Sequence, residues 1–242
     1  MDIDGKVAIV TGAGKRVGRA IALALAERGA ELVLHYRRSE REAQEVLAEA
    51  KRRGGKPVAV RADLARRDEI AGIVEAAAQA FGRVDILVNS ASVFYATPWP
   101  GLTEAQWDEH LEVNLTAPFL LSSAAGRLMQ RLGRGKIVNL ADIAGAQVWK
   151  DYLPYSVSKA GLLALTRGLA KMLAPAVQVN AIAPGVVLLP EGTSEEERER
   201  AVRRIPLRRV GTPAEVAHTV VYLIENDFVT GQVLTLDGGQ SL

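Results

Sequence analysis

The chain has 242 residues, of which 48% are hydrophobic, 24% charged and 5% aromatic, with 22 Gly and 10 Pro. These values are typical of an ordinary globular domain, and they exclude a collagen, a coiled coil and a mostly disordered chain. Thirty Lys and Arg against 28 Asp and Glu leave a net charge of +2. This is not the strongly basic balance expected of a protein that binds nucleic acid or an anionic membrane surface. The sequence has no cysteine, which excludes disulfides, thiolate metal sites and cysteine nucleophiles.

The sequence also lacks the features of a membrane or secreted protein. No apolar run approaches the ~20 residues that span a bilayer. The polar segment 1–6 leads directly into a predicted strand, unlike a signal peptide. We therefore expect a cytoplasmic protein with no metal, nucleic-acid or membrane partner.

Short β-branched runs alternate with helical patterns along the chain. Strands are predicted at 7–10, 31–35, 58–60, 85–88, 136–140, 178–182 and 233–236. Helices are predicted at 17–28, 40–53, 69–81, 104–132, 155–173 and 213–224. Strands that are apolar throughout are covered on both faces, so the pattern predicts an α/β fold with one doubly wound parallel sheet. No linker or repeat divides the chain, and residues 1–242 are predicted to form a single domain.

One segment near the carboxyl end is dense in charge. Residues 194–200 read SEEERER, which is typical of a solvated helix with Glu–Arg pairs at helical spacing. Because it lies between two core elements, this charged segment, within the short region 186–205, also suits a mobile lid, which is the weaker interpretation.

A glycine-rich turn lies between the first predicted strand and the first predicted helix. It spans residues 11–18 and reads TGAGKRVG. Glycines there let the backbone approach a pyrophosphate, and the helix N-terminus offers unpaired N–H groups and a positive dipole. In open parallel sheets, ligands bind beyond the carboxyl ends of the strands. The strand–turn–helix context therefore predicts a dinucleotide site rather than a plain turn.

The end of the second predicted strand indicates which dinucleotide binds. NAD-binding folds place an acid there for the ribose hydroxyls, whereas NADP requires cations for its 2′-phosphate. Residues 35–39 read HYRRS and contain no acid. The two arginines can form charge-assisted bonds with phosphate, and Ser39 can donate another. With Lys15 and Arg16 in the neighbouring turn, the sequence favours NADPH.

A tyrosine and a lysine lie four residues apart at the start of a predicted helix. This spacing puts Tyr155 and Lys159 on one helix face. A tyrosine with a pKa near 10 is a poor proton donor or base at neutral pH. A neighbouring ammonium group stabilises the phenolate, so we expect Lys159 to lower the pKa of Tyr155 and to permit proton transfer to a substrate being reduced.

Several motifs occur in the order and spacing of one known family. They are the turn 11–18, NSAS at 89–92, Asn114, the Tyr155–Lys159 pair and Pro184-Gly185. Through them the chain, from Val7 to Leu242, resembles the short-chain dehydrogenase/reductase family. The resemblance implies a Rossmann-like fold, a nicotinamide cofactor and a homotetramer.

The departures from the commonest family pattern point to one branch. The usual TGxxxGxG turn has glycine where this chain has Arg16, and the usual NNAG motif has asparagine where it has Ser90. The usual catalytic serine, thirteen residues before the tyrosine, is replaced by Asp142. With HYRRS, NSASVFY and the segment 230–242, these departures resemble the pteridine reductase branch. In that branch NADPH reduces dihydropterins, folates and some oxidised pterins.

The chemistry of two side chains is compatible with that resemblance. A pterin is a flat, electron-poor ring on which Phe94 could stack, although a core aromatic is an equally good interpretation of Phe94 from the residues alone. A carboxylate only accepts hydrogen bonds, so Asp142 would repel the alkoxide that forms from a ketone. It could instead hold Tyr155, orient a proton-delivering water or accept pterin N–H groups.

The resemblance also assigns roles to individual residues. The implied catalytic residues are Asn114, Asp142, Tyr155 and Lys159, with Lys159 also on the nicotinamide ribose and Asn114 helping to hold a water near it. The implied substrate contacts are Arg16, Ser92, Phe94, Asp142 and Tyr155. The expected cofactor contacts are Gly12, Arg16, Val17, Tyr36, Arg37, Arg38, Ser39, Asp63, Leu64, Asn89, Ser90, Ala91, Ser92, Tyr155, Lys159, Pro184 and Gly185. His110 and His218, in helical patterns, are interpreted as ordinary structural residues.

Two other functions remain open from the sequence. One is an NADPH-dependent carbonyl or 3-oxoacyl reductase with an unusual Asp142. The other is a non-catalytic NADP-binding protein, against which the Tyr155–Lys159 pair argues, since a pure binder has little use for a tuned phenol. The sequence names neither the natural pterin nor its oxidation state.

Overall fold

Seven parallel strands form one sheet in a computed structural model that describes residues 1–189 and 192–242. The strands are β1 (Val7–Val10), β2 (Glu31–Tyr36), β3 (Val58–Arg61), β4 (Ile86–Asn89), β5 (Gly135–Leu140), β6 (Val177–Pro184) and β7 (Val233–Leu236). Their order across the sheet is β3-β2-β1-β4-β5-β6-β7. The predicted α/β architecture, a doubly wound Rossmann-like sheet, is confirmed.

Helices connect the strands and cover both faces of the sheet. They are α1 (Arg16–Glu27), α2 (Glu40–Arg52), α3 (Arg67–Phe81), α4 (Glu104–Leu111), α5 (Ala117–Arg131), α6 (Leu153–Leu173), α7 (Glu195–Arg203) and α8 (Pro213–Glu225). No helix in the described part of the chain is long and apolar enough to cross a membrane.

The central strand shows why the strands are apolar throughout. Ala8 and Val10 pack on one side of the sheet with α1 and α8, while Val7 and Ile9 pack on the other with α3 and α5. Fully burying one such aliphatic side chain stabilises the fold by about 1.5–3 kcal/mol. A polar residue at any of these positions would therefore be buried against one of the two helical layers and would destabilise the fold.

The strand order places a cleft at the carboxyl ends of the central strands. The chain runs outward from β1 through β2 to β3 and then returns to add β4 on the opposite side of β1. The connections after β1 and β4 therefore leave the sheet in opposite directions. Ligands of open parallel sheets bind in the crevice that this reversal opens at the carboxyl ends of the strands.

The helical stretch predicted at 104–132 is divided in two. A π-helical turn, Glu112–Thr116, separates α4 from α5 and contains the buried Val113 and Asn114. One extra residue in such a turn changes the direction of the side chains that follow, and π-turns occur frequently at functional sites. Apolar periodicity spans both helices, so the sequence pattern did not reveal the interruption.

The charged segment 194–200 lies mostly in α7, where no residue is buried. Ser194 caps the helix and forms a capping box with Glu197. The prediction of a solvated helix is confirmed for this segment. The weaker lid hypothesis for 186–205 stays a prediction, and it includes residues 190–191, which lie outside the described residues.

Candidate active site

The glycine turn after β1 is too tight for side chains. Gly12 has φ +65°, and a Cβ there would lie 3.0 Å from the Ala91 backbone. A Cβ on Gly14 would lie 2.6 Å from Ser39 Oγ, and one on Gly18 would lie 2.2 Å from the Gly12 carbonyl oxygen. Bare backbone therefore faces the cleft at the start of α1, which fits a pyrophosphate.

Two side chains that sequence reasoning did not assign hold this turn in place. The Thr11 hydroxyl accepts hydrogen bonds from the backbone N–H groups of Ser90 (2.9 Å) and Ala91 (3.0 Å). His35 Nδ1 accepts the N–H of Gly12 at 3.2 Å, while its Nε2 lies 3.1 Å from the Ala62 carbonyl oxygen. Burial lowers the pKa of His35, which keeps the ring neutral and Nδ1 available as an acceptor.

Four cations surround the expected 2′-phosphate position, and two of them already have acidic partners. Lys15 Nζ lies 2.9 Å from Glu42 Oε1. Arg37 Nε lies 3.1 Å from Asp63 Oδ2, and its Nη1 lies 3.8 Å from Glu109 Oε1. The sequence alone does not distinguish these cations, because all three acidic groups lie far along the chain from the cation that they approach and reach it only after folding.

The other two cations are less committed. Arg16 Nη2 is 3.5 Å from the Leu188 carbonyl oxygen, which is a weak contact. Within residues 1–189 and 192–242, Arg38 makes no ion pair or side-chain hydrogen bond. The uncompensated positive charge at this end of the cleft therefore belongs to Arg16 and Arg38.

At the other end of the cleft, Asp142 contacts the catalytic candidate Tyr155 directly. The Tyr155 hydroxyl donates a 2.8 Å hydrogen bond to Asp142 Oδ2, and Asp142 Oδ1 accepts the Ala144 N–H at 2.8 Å. The second contact caps a short 3₁₀ turn, Ile143–Gly145. Asp142 is thus both the cap of this turn and the hydrogen-bond partner of Tyr155.

Lys159 completes the group from the next turn of α6. Its Nζ donates a 2.8 Å hydrogen bond to the Leu140 carbonyl oxygen at the end of β5. The same atom lies 5.6 Å from the centre of the Tyr155 ring. Burial lowers the pKa of Lys159 to about 8, and the nearby Asp142 charge opposes that shift.

The expectation that Lys159 lowers the pKa of Tyr155 is wrong for this structure. The pKa of Tyr155 is raised well above its ordinary value, first by burial and then by the charge and hydrogen bond of Asp142. Burial also raises the pKa of Asp142, against its bonds from Ala144 and Tyr155. The ammonium group is directed at a backbone carbonyl, whereas the carboxylate contacts the phenol directly. Tyr155 is therefore held as a protonated phenol.

Asn114 is fully committed to protein partners. Its Oδ1 accepts from Ser92 Oγ (3.0 Å) and the Val93 N–H (2.9 Å), and its Nδ2 donates to the Val93 carbonyl (3.0 Å) and Ser158 Oγ (3.1 Å). The amide therefore clamps the loop after β4 to α6. These four contacts use the hydrogen-bonding capacity of the side-chain amide, and the implied role of Asn114 in helping to hold a water near Lys159 stays a prediction.

Asn89 is also directed away from the cleft. The side chain is buried, and its Nδ2 donates to Asn139 Oδ1 (2.8 Å) and Ser122 Oγ (3.2 Å). The amide thus joins β4 to β5 and α5 beneath the cleft floor. The expected cofactor contact of Asn89 stays a prediction.

Four aromatic rings form a cluster at the chemical end. Phe94 is 52% exposed, so the core-aromatic interpretation is wrong. Its ring stacks on Tyr152 (centroids 4.8 Å apart, 9° between planes) and meets Tyr155 edge-on at 4.7 Å. Trp149 lies 6.3 Å from Phe94 and 6.4 Å from Tyr155. Sequence reasoning missed Trp149 and Tyr152, although an aromatic residue at every third position from 149 to 155 was a usable signal.

The remaining predicted residues line one cleft of about 1120 Å³. Those at the cofactor end are Gly12, Arg16, Val17, Tyr36, Arg37, Arg38, Ser39, Asp63 and Leu64. Those nearer the chemical end are Ser90, Ala91, Ser92, Phe94, Asp142, Tyr155, Lys159, Pro184 and Gly185. The glycine cradle and the free arginines fit a phosphorylated dinucleotide, and the buried Tyr155 lies at the opposite end.

Known proteins resemble this chain along nearly its whole length. A family profile described as "Enoyl-(Acyl carrier protein) reductase" matches residues 12–241. A 3-oxoacyl-[acyl-carrier-protein] reductase of Synechocystis sp. is 36% identical over 241 residues, which are 98% of this chain and 97% of the relative. A (2S)-[(R)-hydroxy(phenyl)methyl]succinyl-CoA dehydrogenase subunit of Thauera aromatica is 36% identical over 250 residues, covering 100% of this chain and 99% of the relative.

A solved structure shows the same architecture. It is a protein of Sinorhizobium meliloti that is provisionally classed as a short-chain alcohol dehydrogenase. The TM-score is 0.93 at 34% sequence identity, over 100% of this chain and 99% of that one.

Proposed function

The chain belongs to the short-chain dehydrogenase/reductase family, and from this premise we propose that it is an NADPH-dependent reductase of pteridines, of the dihydropterin or dihydrofolate type. One observation carries the choice of substrate. The residue that contacts the Tyr155 hydroxyl is the carboxylate of Asp142, 2.8 Å away, at the position where the commonest family pattern has serine.

The nature of the Asp142 group favours a nitrogen heterocycle over a ketone. An ionised carboxylate accepts hydrogen bonds and donates none, so it opposes the negative charge that develops on a ketone oxygen during reduction. A pterin ring presents N–H groups and takes up a proton on nitrogen, both of which a carboxylate can serve. Beside it, the exposed Phe94 offers an aromatic surface to a flat ring.

The residues at the chemical end have separable tasks in such a reduction. Bound NADPH would supply the hydride, with Gly12, Arg16 and Arg38 among the groups that hold it. Tyr155, which burial and Asp142 keep protonated, holds the transferable proton on its hydroxyl, and bound cofactor and substrate would have to lower its raised pKa before that proton can move. Asp142 orients that hydroxyl, and Lys159 contributes a cation beneath it. The Asn114 clamp holds Ser92 and Val93, and therefore Phe94, in position.

A second function is favoured by the comparisons. The Synechocystis relative is named a 3-oxoacyl-[acyl-carrier-protein] reductase, and the matching family profile is also described as an acyl-carrier-protein reductase. This supports an NADPH-dependent 3-oxoacyl thioester reductase as the alternative. The Thauera aromatica relative, a (2S)-[(R)-hydroxy(phenyl)methyl]succinyl-CoA dehydrogenase subunit, is equally identical, so overall similarity at this level accompanies more than one substrate.

A single NADPH-oxidation assay separates these functions. The purified protein would be given dihydrobiopterin, dihydromonapterin, dihydrofolate and acetoacetyl thioesters, and absorbance loss at the cofactor wavelength would be recorded. We expect turnover with a dihydropterin and not with the thioesters. Turnover with the thioesters alone would establish the alternative. Cofactor binding without turnover of any substrate would instead indicate a binding protein.

We also propose a homotetramer, since two helices leave apolar side chains in solvent. Phe119 on α5 and Leu153 and Met172 on α6 are exposed, Met172 by 73%. Pairing of protomers through these helices would cover them, and two-fold interfaces close naturally into tetramers. Light scattering at micromolar concentration should give four times the chain mass, and a monomer would contradict the proposal.

A further inference from the structure

A carboxylate from a distant helix faces the expected 2′-phosphate position. Glu109 lies on α4, yet its Oε1 lies 3.8 Å from Nη1 of Arg37 at the end of β2. Asp63, just beyond β3, holds Nε of the same guanidinium at 3.1 Å. Three elements thus bring two negative charges and one positive charge together, with a net charge of −1.

Glu109 is fixed in this position by a second contact. Its Oε2 accepts a 2.8 Å hydrogen bond from the Tyr95 hydroxyl. Burial and the Glu109 contacts raise the pKa of Tyr95 to about 12, so the hydroxyl remains a donor throughout the working pH range. Tyr95 itself lies against the buried His110, with ring centroids 4.5 Å apart. The carboxylate is therefore aimed at Arg37 by packed groups.

We propose that Glu109 is a positioning residue that weakens the selectivity of this cleft for a 2′-phosphorylated cofactor. It does so by holding the Arg37 guanidinium in ion pairs with itself and with Asp63. A phosphate at this end must compete with both carboxylates for Arg37, so Glu109 acts on phosphate binding through that arginine. Arg38, next to Arg37 in the chain, and Arg16 are left as the less committed arginines at this end of the cleft. The inference rests on the proposed use of NADPH and extends it to a residue outside the cofactor pattern.

Binding of two cofactor fragments tests this without requiring turnover. Adenosine 2′,5′-bisphosphate carries the 2′-phosphate, and adenosine 5′-monophosphate lacks it. Calorimetry on Glu109→Gln should show the bisphosphate binding about two- to fivefold tighter than to the wild type, as expected for a partly exposed ion pair. Affinity for the monophosphate should not change. High salt should reduce the gain, because exposed charges are screened.

Asp108→Asn is a matched control, since it removes one carboxylate from the same helix. Asp108 is exposed and makes no ion pair in the two described stretches of chain. This variant should change neither affinity. Glu109→Gln should also lose its effect in an Arg37→Ala background if Glu109 acts through that arginine.

Each result decides the proposal. Unchanged or weaker bisphosphate binding by Glu109→Gln, an equal gain with Asp108→Asn, or an equal gain with Arg37→Ala in place would overturn it. If the wild type binds both fragments equally, the proposed NADPH preference fails. In that event, a 2′-phosphate preference that appears only in Glu109→Gln would still support the role of Glu109, and its absence would overturn that role.

Discussion

The two ends of the cleft are built on opposite electrostatic designs. At the cofactor end, Arg37, Asp63 and Glu109 are partly exposed and joined by ion pairs of 3.1 and 3.8 Å. At the chemical end, Tyr155 and Lys159 are buried and joined to Asp142 and Leu140 by hydrogen bonds of 2.8 Å. Exposed pairs exchange partners at little cost, whereas buried groups shift pKa strongly. The first arrangement therefore suits the selection of a ligand, and the second suits the control of a proton.

The largest expected effect is at Asp142. Asp142→Asn keeps the size of the side chain but removes the charge that orients the Tyr155 hydroxyl. Dihydropterin reduction should fall by about 10²–10⁴-fold, the range for positioned acid–base groups, with NADPH affinity nearly unchanged. Steady-state kinetics with separately measured cofactor binding would check this.

Two further variants test whether the loss in Asp142→Asn reflects proton transfer and substrate preference. Tyr155→Phe should suppress turnover as strongly, because it removes the proton donor itself. Asp142→Ser restores the common family residue and should lose pterin reduction while gaining ketone reduction. Unchanged pterin turnover in Asp142→Asn would make Asp142 structural and favour the 3-oxoacyl reductase.

At the cofactor end, the two arginines should differ. Arg38→Ala removes a cation that has no acidic partner, and it should raise KM for NADPH by about ten- to hundredfold. That factor corresponds to the free energy of one charged hydrogen bond. Arg37→Ala should raise it by less than about fivefold, since Arg37 is already paired with two carboxylates. KM for NADH should change little in either variant. Equal effects of both substitutions would show that a bound phosphate draws Arg37 from its partners.

A smaller effect is expected from pH. Because the pKa of Lys159 is about 8, the lysine loses its positive charge as the pH rises through that value. The kcat/KM of the free enzyme should therefore fall about tenfold per unit above pH 8. The Asp142 charge raises the pKa of Lys159, so Asp142→Asn should move this alkaline limb to lower pH. A limb that stays in place would exclude Lys159 as its source.

The smallest effect concerns stability. The pKa of Asp142 is raised on folding, so the folded state binds more protons than the unfolded chain between pH about 3.8 and the higher folded-state pKa. Stability falls as the pH rises through this window, and buried ionised Asp142 is unfavourable at neutral pH. Asp142→Asn should therefore raise Tm by a few degrees at pH 7, and the gain should shrink towards acid. Thermal scans at both pH values would check it, and a lower Tm at pH 7 would contradict it.

The sheet architecture, the glycine turn and the common face of Tyr155 and Lys159 could be predicted from local sequence patterns. Strands such as Val7–Val10 are apolar at every position because helices cover both faces of the sheet, and this pattern alone predicted the architecture. The glycine turn 11–18 could also be predicted, because the close backbone packing in this turn leaves no room for a Cβ at Gly12, Gly14 or Gly18. The spacing of Tyr155 and Lys159 on a helix likewise fixed their common face.

Tertiary structure decided how these residues are partnered. The sequence could not show that Glu109, 72 positions from Arg37, approaches the same guanidinium as Asp63. It also predicted the wrong direction for the pKa of Tyr155, because that pKa depends on burial and on Asp142 more than on Lys159. Periodicity and motifs report which residue types occupy an element. The charge state of a side chain depends on distances and solvent exposure, which arise only when separate elements pack together.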